Sequence, residues 1–374
     1  MFTLFRKEIT GFFSSMTGYV VMIVFLMANS LIMWIMPGQW NLLDSGYAGL
    51  DTLFVISPWL FLFLVPAVTM RLWSEERRSG TIELLWSRPV GDGRIIYGKF
   101  LASVALVLIS LLPATLFVIT VWVLGETPGN LDRGGTAGSF IGLLLLAAVY
   151  SAIGLFASSL TENQVVAFIL AALLSFIMFT GFDSLSLLPG LSSAGEQIAR
   201  TGINEHYKSI SRGVLDISDI AYFIFITVLF NEAARLSLRR SKVMKPLLII
   251  VVTAAAALLL SLLNLRADLT EDRRFTLAEP TRKILKELDS DVRIEVYLEG
   301  EMPVGFRKLR RSAAQYLDEF RIASGRRISY DFTNPSASSD AATREKFHSE
   351  LISRGLMPVD RKSTRLNSSH VSPS

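Results

Sequence analysis

The chain has no cysteine in 374 residues, which excludes disulfides and thiol nucleophiles. Its three histidines, His206, His348 and His370, are too scattered to suggest a metal cluster. Charge is scarce over most of the length: residues 1–263 carry 33 of the 70 Asp, Glu, Lys and Arg residues, about one in eight. An ordinary soluble domain carries roughly one in four and has no apolar runs of about twenty residues, so this part is not a single soluble globule. Residues 264–374 hold the other 37 charges, so the chain is not wholly embedded in a membrane either.

What is present is a series of charge-free stretches. They run over 9–43, 52–70, 100–125, 134–161, 163–182 and 246–265. A helix of about 20 apolar residues crosses roughly 30 Å of hydrocarbon, so each is long enough to span a bilayer. A further span is expected at about 218–237, with Asp219 and Arg235 near its ends at headgroup level and the apolar run AYFIFITVLF at its centre. Glu232 is then the carboxylate closest to the apolar zone, and Arg235 shares its helix face. That pair reads as a solvated helix end rather than an ion pathway.

Basic residues set the orientation. With the N-terminus inside, the inner segments hold Arg6, Lys7, Arg71, Arg77, Arg78, Arg88, Arg94, Lys99, Arg235, Arg239, Arg240, Lys242 and Lys245, thirteen in all. The outer loops hold four: Arg133, Arg200, Lys208 and Arg212. This positive-inside bias places the N-terminus in the cytoplasm and, after seven spans, everything beyond Leu265 on the other side. It also accounts for the net charge of +4 without a nucleic-acid partner. The N-terminal stretch does not fit a secretory signal, since it lacks a basic n-region and a small-residue cleavage motif. Residues 1–16 read instead as an amphipathic interfacial helix, with Phe2, Phe5, Ile9, Phe12 and Phe13 at helical spacing, turning into the membrane at about Ser14.

The longest inner connection is 71–99, RLWSEERRSGTIELLWSRPVGDGRIIYGK. A loop of this length between spans implies a purpose beyond linkage. Ser74 is placed to cap a short helix opening with Glu75 and Glu76, which Gly80 interrupts. Thr81 then starts a second short helix whose Ile82, Leu85 and Trp86 share one face with Glu83 opposite, ending before Pro89. The apolar ridge has no membrane to bury it, so a groove on a partner protein is the expected cover.

The run from Glu75 to Leu85, followed by Arg88-Pro89-Val90, resembles the segment after the second span in permeases of the type-two ABC exporter class. The interfacial helix, six spans and inner loop match that class over about residues 1–245. The resemblance implies a six-span α-helical permease domain over 17–240. It gives the loop the role of a coupling element docking on an ABC ATPase subunit, carried by Glu75, Glu76, Gly80, Thr81, Ile82, Glu83, Leu85 and Pro89. It further implies a second permease copy as homodimer partner, a lipid bilayer surround and location in a bacterial inner membrane. No GxxxxGK[ST] pattern occurs in the chain, nor a GxSxG elbow or an HExxH helix. The expectation is a permease that is not itself an enzyme and binds no cofactor, with ATP held by the partner subunit.

Residues 241–265 read as a basic linker and a plain seventh span, an anchor without a polar face to line a pathway. Beyond it, a helix is expected at about 280–289, a strand over 291–298, a helix over 306–323 and a strand over 328–332. Strand, helix and strand of these lengths imply a parallel βαβ unit, and one such unit needs further strands to be stable alone. Residues 264–320, with 329–335 and 355–358, are similar to the start of the auxiliary subunit of the gliding-motility ABC transporter. That likeness implies a permease fused to an incomplete extracytoplasmic α/β domain over 266–360, serving gliding motility or secretion. The Ser-rich tail 361–374 breaks the likeness and is set aside as non-native-looking. Two other functions fit the composition: a non-transporting scaffold of a motility or secretion complex, and an ion-coupled transporter. The latter expects ionisable groups at mid-membrane, where only Glu232 comes near.

Overall fold

The computed structural model describes residues 2–38, 40–45, 49–87, 90–125, 131–186, 198, 201–238, 244–261, 266–270, 276–300, 304–325, 327–335 and 341–356. Pro89 with Arg88, the linker residues 239–243 and the tail 361–374 lie outside these. The chain forms two compact units, Met1–Arg274 and Phe275–Ser374.

The first unit opens with α1 (Phe2–Phe13), whose spaced phenylalanines give it the amphipathic character read from the sequence. The helix breaks at Ser14 and Ser15, whose hydroxyls donate back to the carbonyls of Gly11 and Phe12. Then α2 (Met16–Ser30) enters the apolar zone. A Cβ on Gly18 would sit 2.6 Å from the Phe12 carbonyl oxygen, so this close turn requires glycine.

Next come α3 (Asp51–Thr69), α4 (Arg71–Arg78), α5 (Ile82–Trp86) and α6 (Asp92–Leu111). A 3-10 turn at Leu112–Ala114 leads into α7 (Thr115–Leu124). In α8 (Arg133–Leu160) the Asp132 carboxylate accepts the Gly135 N–H at 2.8 Å, capping the first turn. Asn163 does the same for α9 (Gln164–Phe176), accepting from Val165 at 2.9 Å, so the two helices are joined by only three residues. The unit continues through α10 (Ile203–Ile210), β1 (Val214–Asp216), α11 (Ile217–Leu238), α12 (Met244–Ser261) and β2 (Arg266–Asp268).

Six helical stretches are long and apolar enough to cross a membrane: Gly18–Ile35, Asp51–Arg78, Asp92–Leu124, Arg133–Leu160, Gln164–Ser186 and Ile217–Leu238. They match the first six expected spans. The seventh is a shorter apolar helix over Pro246–Leu260.

At the centre, α3 and α8 run side by side in the same direction. Phe54 meets Phe140 edge-to-face at 5.1 Å near their starts, and Thr69 packs directly onto Gly154 near their ends. No Cβ fits on Gly154 without moving Thr69, so a small residue sets the helix separation, as is common where helices pack in lipid. Around this pair sit Phe61, Leu64, Val65, Leu143, Leu146 and Tyr150, all buried.

The plain seventh helix is more than an anchor. β2, after α12, pairs antiparallel with β1, before α11, in the register Val214↔Asp268, Leu215↔Ala267, Asp216↔Arg266. Thus α12 returns to the end where α11 begins. The Leu269 N–H donates to the Gly213 carbonyl at 3.0 Å, Gly213 adopts φ +86°, and the Leu269 carbonyl lies against Gly134, leaving no room for a side chain.

The second unit holds α13 (Glu279–Lys286), β3 (Val292–Val296), α14 (Val304–Ala323), β4 (Ile328–Phe332) and α15 (Ala341–Ser353). β3 and β4 are parallel, from Val292↔Ile328 to Val296↔Phe332, as the strand–helix–strand spacing predicts. α14 is tied to β4 by the Tyr330 hydroxyl, 2.6 Å from Asp318 Oδ1, and by the Arg310 guanidinium, 4.6 Å from the centre of the Phe332 ring. α15 has no counterpart in the expected elements.

The candidate coupling hairpin

The inner loop is a helical hairpin continuous with the second span. Met70 keeps right-handed helical angles (φ −53°, ψ −30°), so α3 runs on into α4 without a cap. Ser74 is therefore not an N-cap: it lies inside the helix, and its hydroxyl donates back to the Met70 carbonyl. The helix ends where Gly80, at φ +69°, takes the left-handed conformation that favours glycine, and Ser79 and Thr81 exchange a hydroxyl hydrogen bond of 2.8 Å across the turn.

The ridge of α5 is not bare. Ile82, Leu85 and Trp86 are half-buried against Leu72, Trp73, Ile95 and Ile96 of the same chain, and the Trp86 ring stacks on Trp73 at 6.1 Å. The expected partner groove is thus supplied in part by α4 and α6. What the hairpin leaves outward is a different set: Glu75, Arg78, Gly80, Thr81, Glu83 and Leu84, with Leu84 66% exposed.

Glu76 faces inward. It belongs to a cluster centred on Lys99, whose side chain has no exposure. The Lys99 ammonium donates to Glu8 Oε1 at 2.8 Å and to the Leu72 carbonyl at 2.7 Å, approaches Glu76 Oε1 at 3.0 Å, and sits 4.9 Å from the Trp73 ring centre. Lys7 reaches the same Glu76 oxygen at 3.1 Å. Partial burial alone would lower the Lys7 pKa; the Glu76 hydrogen bond and the charges of Glu76, Glu8 and Glu75 outweigh it and raise it above 10.5. Two lysines and two carboxylates thus balance in charge.

A second link joins the base of α6 to the C-terminal part of α11. The Tyr97 hydroxyl donates to Glu232 Oε1 at 3.0 Å, and Arg235 holds Glu232 Oε2 at 3.1 Å. Glu232 has no side-chain exposure. The reading of Glu232 and Arg235 as a solvated helix end gives way to a protein-paired carboxylate, because α6 supplies the donor that solvent was expected to supply.

At the opposite end of the bundle, Asp219 is likewise enclosed by protein. Its Oδ1 lies 2.7 Å from His206 Nδ1, and the His206 ring stacks on Tyr222 at 3.9 Å. Tyr207 on α10 donates to the Phe54 carbonyl at 2.6 Å, and burial pushes its hydroxyl pKa up. Among the described residues, no group of three or more His, Asp or Glu side chains is arranged to hold a metal ion.

Sequence reasoning grouped the hairpin residues correctly in space but not by face. Of the set it named, Glu75, Gly80, Thr81 and Glu83 are exposed, Ile82 and Leu85 are half-buried against their own chain, and Glu76 is buried; Pro89 falls outside the described residues. It counted Lys99 only as an inner positive charge. The signal available was that Lys99 sits one turn beyond Ile95 and Ile96 in a helix otherwise apolar onward to Leu124.

Together these features define a polytopic helical membrane protein whose second span continues into a structured helical hairpin. Residues 51–269, more than half of the chain, match the model of the ABC-2 family transporter protein, and the chain belongs to that family. It is accordingly a membrane permease of an ABC transporter, a transport component rather than a catalytic one, and membership implies an ATPase partner. Residues 271–371 match a second model, described as Domain of unknown function (DUF7088). No curated protein matches the chain.

Proposed function

We propose that this chain is the permease half of an ATP-driven exporter in a bacterial inner membrane, working as two copies with a separate ABC ATPase that docks on the 71–99 hairpin. ATP binding on that partner displaces the hairpin and shifts the bundle between inward- and outward-open populations. The observation that carries this reading is the hairpin's construction. Its apolar side packs on the permease itself, which leaves Glu75, Arg78, Glu83 and Leu84 exposed along its outer edge.

The positive-inside bias supports a cytoplasmic hairpin and N-terminus. The β1–β2 pairing supports an extracytoplasmic second unit, since α12 ends where α11 begins. The likeness of residues 264–320 to the gliding-motility auxiliary subunit supports a role in surface motility or secretion.

The test is reconstitution in liposomes with the Walker-motif ATPase that co-purifies from native membranes. Glu83→Lys is expected to weaken ATPase association by about tenfold or more while leaving the permease folded. Unchanged association and unchanged stimulated turnover would overturn the coupling role and leave the scaffold as the better reading.

A further inference from the structure

We propose that Lys99 is the positioning residue of the hairpin: it fixes α1, α4 and the base of α6 as one body, so that a push on the hairpin reaches the third span and the interfacial helix together. The proposal deepens the coupling role given to the hairpin and rests on it.

Lys99 has the environment of a core residue. It is fully enclosed, and Leu72, Ile95, Ile96 and Phe100 around it are buried apolar side chains. A leucine or methionine there would pack without the cost of desolvating an ammonium, and buried ion pairs are often no more stabilising than apolar residues of equal volume. What the charge adds is direction. An ammonium has three donors; here it donates to Glu8 on α1 and to the Leu72 carbonyl on α4, and the Glu76 carboxylate on α4 stands 3.0 Å away as an ion-pair partner. These partners belong to segments 91, 27 and 23 residues away in sequence, so no local helix geometry brings them together.

The rest of the cluster serves the same joint. Glu76 Oε1 is shared between Lys99 and Lys7, which ties α4 to α1 a second time. Its Oε2 is buried with no hydrogen-bond partner among the described residues, so the carboxylate depends on the two lysines for compensation. Two residues before Lys99, Tyr97 holds Glu232 on α11. The base of α6 is therefore the point where hairpin, interfacial helix and sixth span are joined.

The natural absence of cysteine allows a direct test on the whole chain. Spin labels at Thr3→Cys on α1 and Leu84→Cys on the hairpin, both exposed positions, report the α1–hairpin distance in nanodiscs by pulsed electron resonance. The unaltered cluster is expected to give one narrow distribution. Lys99→Met and Glu8→Ala are each expected to widen it by about twofold or more, whereas Glu8→Gln, which keeps an oxygen acceptor, stays narrow. A lowered melting temperature with unchanged width would mean that Lys99 is only structural, and would overturn the proposal. If Lys99→Met does not fold, equal widths for Glu8→Ala and Glu8→Gln would overturn it alone.

With the ATPase present, Glu8→Ala is expected to keep association within about threefold and to lower stimulated turnover by about tenfold; unchanged turnover would overturn the proposal. The distance measurement needs no ATPase. Failure of the docking assignment, scored by Glu83→Lys, is therefore distinguishable from failure of the joint.

Discussion

Tyr97 and Glu232, 135 positions apart in sequence, meet at 3.0 Å at the hairpin end of the third and sixth spans. The phenol is a neutral donor to one carboxylate oxygen, and Arg235 holds the other. Removing the hydroxyl by Tyr97→Phe leaves one oxygen of a fully enclosed carboxylate unsatisfied. The expected cost is about 1–3 kcal/mol, read as a lower unfolding midpoint in detergent. Glu232→Gln, which still accepts from Tyr97, should cost less than Glu232→Leu, which strands Arg235 and the phenol together. Equal midpoints across the three variants would show that the contact contributes nothing.

The two adjacent leucines of the hairpin should behave oppositely. Leu84 is 66% exposed, so Leu84→Asp is expected to change stability by no more than about 0.5 kcal/mol while weakening ATPase association. Leu85 packs against the Trp73 cluster, and Leu85→Asp is expected to cost about 2–5 kcal/mol and to lose association only through unfolding. Thermal denaturation and pull-down of the same samples separate the two effects.

Gly154 sets the distance between α8 and α3. Gly154→Ala drives a methyl into Thr69 and is expected to destabilise by about 1–3 kcal/mol, with partial recovery in Gly154→Ala/Thr69→Ala. Gly11→Ala, at a position with nothing within 4 Å of a Cβ, is the control and should be neutral or stabilising.

How much of this was legible in the sequence depends on the range of the interaction. Span lengths follow from local charge spacing: five of the six membrane-long helices fall where charge-free stretches lie, and the sixth, Ile217–Leu238, follows from its apolar centre despite Asp219, Glu232 and Arg235. The β3–α14–β4 unit follows from local alternation and helical spacing. Gly80 was readable as a stop because a helix end is a local event. The orientation of Ile82, Leu85 and Trp86 was not, because the face that buries them includes Trp73, on a helix whose continuation from the second span has no sequence marker at Met70. In the sequence Lys99 counts only as an inner positive charge, and Glu232 reads as part of a solvated helix end. Their partners, Glu8 and Tyr97, lie 91 and 135 residues away, and periodicity carries no information at that distance. The β1–β2 ribbon was missed for a similar reason: three-residue strands separated by two membrane helices show no alternation to read.

The ribbon can be checked by cross-linking. Leu215→Cys with Ala267→Cys places two cysteines directly opposite on one face, and they are expected to oxidise to a disulfide without added linker. Leu215→Cys with Asp268→Cys is one residue out of register, on opposite faces, and should not. Efficient bridging of the second pair and not the first would mean that α12 ends elsewhere.

The central proposal is that the hairpin faces the cytoplasm and an ATPase, and that Tyr316 faces the opposite compartment. Single cysteines at Leu84 and Tyr316, both exposed, test it in a chain with no cysteine of its own. In intact spheroplasts a membrane-impermeant maleimide is expected to label Tyr316→Cys and to leave Leu84→Cys unlabelled until the cells are lysed. Equal labelling of both positions before lysis, or of neither, would place them on one side of the bilayer and contradict the account.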